Sequence, residues 1–199
     1  MDSATPVASA LTINDGKIHA VGGSELKDHR HESHNLQDMG GAVILPGLTD
    51  SHMHLEHFSF GQQQVVCETE TLDACLKNVA EKAASQPKGT WIQGWGWNQN
   101  VWTGGYGTAA DLDHAAPDHP VFLSSKSGHA SWGNSLAMKM AGIDSSTPDP
   151  EGGLIQRDET GKPTGIFFET ANGLIRQIIP PATTDESARA IKAAQPALW

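Results

Sequence analysis

The chain has 199 residues, a formal net charge of -10, and is 38% hydrophobic and 18% charged. That composition suits a globular chain holding one ordinary domain, or a domain with an appendage. The acidic balance and the lack of any basic patch argue against nucleic acid and anionic membrane surfaces as partners, and no apolar run approaches the roughly 20 residues that cross a bilayer.

The opening segment, "MDSATPVASA", has neither a basic n-region nor an apolar h-region, so no secretory signal is expected. Cys67 and Cys75 are the only cysteines. Two thiols in a chain of this size make no disulfide framework, and a reduced, cytoplasmic setting is expected. With seven residues between them they do not fit a zinc pair either.

Next come "ALTIND" and "KIHAVG", two alternating apolar runs joined by Asp15-Gly16, which predicts a hairpin. Residues 24–35 are polar and read as a loop. Within it "HRHESH", residues 29–34, offers three histidines but no strand or helix to fix them, so it reads as a solvated loop rather than a metal site. "GGAVILPGLTDSHMHL" predicts a β-branched strand, a Pro-Gly turn and a second strand. Residues 71–85 carry Leu72, Cys75, Leu76, Val79, Ala80 and Ala83 at helical spacing, with Thr71 placed as cap.

"TWIQGWGW" predicts a strand, "TAADLDHAA" a short helix before Pro117, and "PVFLSS" a buried strand. "ASWGNSLAMKMAGI" predicts a helix closed by Gly142, and "GLIQRDETGKPTGIFFE" a hairpin turning near Gly161. Two helices, over 170–179 and 185–198, follow on either side of Pro180-Pro181. The order, strands first and then alternating helix and strand, predicts an α/β fold with a small β part at its start.

In a strand, residues i and i+2 share a face, which would put Asp50, His52 and His54 on one side. Two imidazoles so placed can chelate a divalent ion such as zinc. A bare H-x-H is equally two partly exposed histidines at a strand tip, and the wider context has to choose. "LPGLTDSHMHL" resembles the P-G-x-x-D-x-H-x-H signature that opens the metal barrel of the amidohydrolase superfamily. "PKGTWIQGWGWNQNVW", "ADLDHAAPDHPVFLSSKSGHASWGNSLAMKMAGI", "TPDPEGGLIQRDETGKPTGIFFETA" and "IPPATTDE" resemble, in the same order, segments of its YtcJ-like, amidohydrolase 3 branch, which includes N-substituted formamide deformylases.

That resemblance implies a composite β-sandwich beside a (β/α)8 barrel, with an insert after the first barrel strand. Residues 1–45 would be part of the sandwich. Residues 46–199 would be the start of the barrel, with strand 1 over 46–55 and an α/β insert over about 60–165. A complete barrel of this kind takes about 250 residues, so the barrel here is incomplete and the chain is expected to be an N-terminal fragment of a longer hydrolase. Its open strand edges favour association, and a homo-oligomer is an expectation.

His52 and His54 are implied metal ligands, for one or two divalent ions of which zinc is the first choice. Glu169 is a third candidate ligand, against its plainer role as a first-turn carboxylate favoured by the helix dipole. His129, beside Gly128, is implied at the substrate, against a capping or core role. Trp91, Trp95 and Trp97 would share one strand face, either as core or as a pocket wall, with Trp97 and Asn98 as the substrate-binding choices. No catalytic residue is assigned. The implied activity is metal-dependent hydrolysis of a non-peptide C–N bond in a small amide or formamide, by an incomplete chain inactive alone. Ring opening of a cyclic amide is a variant of it. The other reading is a non-catalytic remnant that serves as a binding module.

Overall fold

The computed structural model describes residues 7–27, 35–47 and 49–198. The polar histidine loop at 29–34 lies outside the described residues. The fold is mixed α/β, in two compact units, Met1–Ser51 and His52–Trp199.

The first unit contains β1 (Ala10–Asn14) and β2 (Lys17–Gly22), paired antiparallel. Asp15 and Gly16 both have positive φ, 48° and 71°, as a two-residue hairpin turn of this type requires. The apolar segment that follows does not become the expected strand. A strand needs a ladder partner for its N–H and C=O groups, and among the described residues none pairs with positions 42–54. Val43, Ile44 and Leu45 are exposed.

The second unit begins with α1 (Leu55–Gly61), a short helix that the strand expectation missed. A six-stranded sheet in the order β3-β4-β5-β6-β8-β7 forms its centre. Its strands are β3 (Val65–Val66), β4 (Ile92–Trp97), β5 (Val121–Ser125), β6 (Ala130–Gly133), β7 (Gly153–Arg157) and β8 (Pro163–Glu169). β3, β4 and β5 are mutually parallel, whereas β6, β8 and β7 run in antiparallel pairs beyond β5.

Both faces of the sheet's centre are covered. Val121 and Leu123 of β5 and Ile166 of β8 enter one cluster, with Cys75, Val79 and Ala83 of α2 (Leu72–Ala84) and Leu112 of α3 (Ala109–Ala115). Phe122 and Phe167, pointing the other way, enter a second, with Ala137 and Met138 of α4 (Ser135–Met140) and Ile175 of α5 (Gly173–Arg176). The final helix, α6 (Thr184–Ala194), starts on a Thr183–Glu186 capping box. It packs on α1, where the Ser187 hydroxyl donates to Glu56 Oε1 at 2.5 Å.

The expected helix over 130–143 is half strand. Ala130–Gly133 pairs with both β5 and β8, and the helix starts only after Asn134. Tertiary pairing outweighs local propensity here, because a four-residue segment fills the gap between two buried strands. Asn134 is 1% exposed and makes the junction. Its Oδ1 accepts from Val121 N–H at 3.0 Å and from Ala137 N–H at 2.9 Å, while its Nδ2 donates to His119 C=O at 2.8 Å. Losing a cap and leaving buried groups unsatisfied costs about 2–4 kcal/mol together. Asn134→Ala is expected to lower the urea midpoint of unfolding accordingly; an unchanged midpoint in the alanine variant would contradict this account of the junction.

Candidate functional site

His52 sits on a bend and His54 in irregular backbone just before α1, not on a strand face. Among the described residues of 46–55 there is no ladder pairing, so the i, i+2 rule has nothing to act on. The two rings nevertheless meet, with centroids 5.4 Å apart and planes at 85°. His54 is the N-cap residue of α1 at φ -88°, ψ 72°, and its side chain does not cap the helix. Both side chains are exposed.

Two neighbouring imidazoles are suitable donors for a zinc-like ion, whose shell usually has three or four protein ligands. Among the described residues no group of three His, Cys, Asp or Glu side chains is gathered that could hold a metal. The pair therefore fits as two ligands of a shell, and in this structure Glu169 is not gathered with it.

Glu169 is instead brought to His129. In the β6–β8 ladder Ala130 lies opposite Phe168, so the next positions outward, 129 and 169, face each other. Glu169 N–H donates to His129 C=O at 2.8 Å. The His129 Nδ1 lies 3.0 and 3.2 Å from the two carboxylate oxygens. Glu169 itself adopts φ 50°, ψ -122°, a region that costs a non-glycine residue about 1–3 kcal/mol. His129 N–H donates to Ser127 Oγ at 3.3 Å, Ser127 and Ser125 hydroxyls are 3.0 Å apart, and Ala130 N–H donates to Ser125 Oγ at 3.1 Å. Lys126 forms an ion pair with Glu68 at the same end of the sheet. Each of the two residues was singled out from sequence separately, but not the pair. The hairpin register would have revealed it once 130–133 was read as a strand.

Trp95 and Trp97 do not share a strand face. Gly96 has φ 97°, and the β4–β5 register shifts between Trp95 and Trp97. A Cβ at Gly96 would come within 3.0 Å of Glu68 Cγ, so the bulge depends on glycine. It turns Trp97 onto the opposite face from Trp95, which is 39% exposed while Trp97 is 1% exposed. Trp97 packs with Trp102, Tyr106 and Trp132, at centroid distances of 6.3, 6.1 and 6.5 Å. Its indole N–H donates to Leu123 C=O at 2.9 Å. It is core, and lines no open surface. Asn98 uses Oδ1 within its own turn, accepting from Asn100 N–H at 3.1 Å.

Cys67 and Cys75 are both fully buried and reduced. The hydrogen bond with Cys75, with burial behind it, pushes the Cys67 thiol far up. A thiol held protonated is neither nucleophile nor metal ligand. The lowered carboxyls Asp149, Asp158 and Glu186 answer to Arg157, to Thr160 and to the Thr183 backbone respectively, which are turn and cap partners.

Residues 35–199 match the model of the amidohydrolase family, amidohydrolase 3 group. The chain is 37% identical over 196 residues to the YtcJ protein of Bacillus subtilis strain 168, covering 96% of this chain and 37% of that protein. It is 33% identical over 180 residues to the N-substituted formamide deformylase of Arthrobacter pascens, covering 88% and 33%. The fold is similar to a solved metal-dependent hydrolase of Pyrococcus furiosus that is otherwise uncharacterised. That similarity has a TM-score of 0.61 at 24% identity, over 96% of this chain and 38% of that one. The chain thus spans little more than a third of the length of the proteins it matches. By sequence over most of its length, it belongs to the amidohydrolase family.

Proposed function

We propose that this chain contributes His52 and His54 as two metal ligands to a hydrolase that cleaves a carbon–nitrogen bond other than a peptide bond, in a small amide- or formamide-type substrate. The observation that carries this is the pair of exposed imidazoles with ring centroids 5.4 Å apart, set in the D-x-H-x-H segment of a chain of this family. A divalent ion, zinc or a similar one, supplies Lewis-acid polarisation of a carbonyl and acidifies water toward a pKa of about 7.

The residues of this chain do the holding and orienting. His54, as the first residue of the turn that opens α1, has its backbone fixed by Phe58 N–H donating to its carbonyl at 2.9 Å. His129 and Asn98, at the end of the sheet where β4 stops and β6 begins, are the substrate-side candidates. A small amide-type molecule is the proposed partner, with a homo-oligomer as the form of the protein.

His52→Ala in the native protein is expected to remove bound metal, measured by elemental analysis, and to lower turnover by more than about 100-fold, beyond the loss typical of outer-shell changes. Unchanged metal content in that variant would sink the ligand assignment. The native gene product, isolated from its source cells, is expected to have an intact mass well above 21.2 kDa. A mass near that value would remove the hydrolase reading from this polypeptide and leave a binding module in its place.

A further inference from the structure

We propose that the groove between the end of α4 and the β7–β8 turn is a binding site for a small organic anion, a carboxylate on a compact apolar body. Lys139 and Lys162 on its two rims hold the charge, and Met138, Ile143 and Pro163 receive the body. The site is independent of the hydrolase function proposed above.

Three segments shape the groove, and each is fixed by its own hydrogen bonds. α4 ends in a glycine turn. Gly142 has φ 68°, its N–H donates to Lys139 C=O at 3.1 Å, and Ile143 N–H donates to Met138 C=O at 2.9 Å. This helix stop folds Ile143 back towards Met138, and the two enter the same buried cluster, at 8% and 6% exposed. In the next turn Asp144 Oδ1 accepts from Ser146 N–H at 2.8 Å and from the Ser146 hydroxyl at 2.6 Å, and Asp144 N–H donates to Thr147 Oγ1 at 2.9 Å. Across the groove Asp158 Oδ1 accepts from Thr160 N–H, the Thr160 hydroxyl and Lys162 N–H, at 2.9, 2.7 and 3.0 Å. The space enclosed is about 700 Å³, within the range of small-molecule sites.

These bonds decide the sign of the groove. Asp144 and Asp158 are both held below the ordinary carboxyl range, Asp144 mainly by Ser146 and Asp158 mainly by Thr160. Lys162 exerts only the smallest of the pulls on Asp158. Asp113 takes up both donors of Ser135, its N–H and its hydroxyl, and Glu159 does not line the groove. Lys77, Lys88 and Lys126 each pair with a carboxylate. Among the described residues Lys139 and Lys162 have no such partner, and the Ser145 hydroxyl, also in the lining, has no hydrogen-bond partner. What stays open is two ammoniums and a hydroxyl over an apolar floor, on a chain whose net charge is -10. The ammoniums attract an anion, and covering the floor removes apolar surface from water. A small anion with an apolar body satisfies both.

The groove is also separate from the candidate metal and substrate residues. It lies at the start of β8, whereas His129 and Glu169 stand at the end of that strand. β8 has 7 residues, roughly 20 Å of extended chain.

The test follows the Met138 methyl signal by NMR in the native protein carrying carbon-13 methionine methyls, assigned as the signal that Met138→Leu removes. Benzoate is the probe. Benzyl alcohol has the same body without the charge, and inorganic phosphate has charge without the body. Benzoate is expected to shift the Met138 signal saturably in the millimolar range, and more weakly as salt is raised. Benzyl alcohol and phosphate are expected to bind at least about threefold more weakly. Lys139→Gln and Lys162→Gln are each expected to weaken benzoate by about threefold, and together by about tenfold, the scale of partly exposed charge pairs. Lys139→Arg with Lys162→Arg, which keeps both charges, is expected to retain it. A Met138 signal that ignores benzoate would overturn the site. An equal response to benzyl alcohol, or benzoate binding that survives both glutamines or is lost with both arginines, would overturn recognition of the charge. An equal response to phosphate would overturn the part given to the apolar floor.

Discussion

The larger unit depends on one strand that is dry on both faces. β5 sends Val121 and Leu123 into one cluster and Phe122 into the other, all almost wholly buried. Such a strand cannot leave a backbone N–H or C=O to water, so it must be paired along both edges. β4 takes one edge in parallel and β6 the other antiparallel. The rest follows from that demand. Asn134 satisfies the Val121 N–H that the ladder leaves over, and the same side chain starts α4. The change from parallel to antiparallel pairing at β5 also decides which residues emerge together at the end of the sheet. Trp97 and Ser125 end parallel strands there, while His129 and Glu169 close the antiparallel pair beside them.

Much of this was legible in the sequence wherever the signal was local. Asp15-Gly16 between alternating runs, Thr71 before a helical stripe, and the turn at Gly161 each specify their element within a dozen residues. What was illegible needed a partner. Residues 130–133 are strand because two buried neighbours claim them, and Ala-Ser-Trp-Gly says nothing of those neighbours. Residues 42–54 have strand composition yet no ladder among the described residues, so their composition alone could not decide. The family resemblance was legible from motif order, and the match over residues 35–199 agrees with it.

The candidate site divides along the same line. His52 and His54 were readable because they lie one residue apart, and their rings adjoin even without the strand invoked to align them. The His129–Glu169 pairing spans 40 positions and becomes visible only through the register of β6 on β8. The tryptophans failed for a third reason. Strict alternation assumes a continuous ladder, and one bulge at Gly96 moves Trp97 from the face of Trp95 into the core. There its indole hydrogen is already used by Leu123.

Magnitudes decide how Glu169 should be understood. An exposed ion pair or charge-assisted contact of this kind contributes about 0–1 kcal/mol, and the carboxylate is 57% exposed. The left-handed backbone costs about 1–3 kcal/mol. The side-chain contact alone therefore does not offset the conformation it accompanies. The backbone is held by other bonds: Glu169 N–H to His129 C=O, and the pairing of Gly153 with Glu169 across β7 and β8. A glycine at 169 could make both and would avoid most of the strain. The glutamate thus adds a carboxylate to the end of the sheet at a net cost to stability, next to an imidazole whose second nitrogen is open. Stability does not account for that arrangement, and strain kept at a non-glycine side chain points to a use for that side chain.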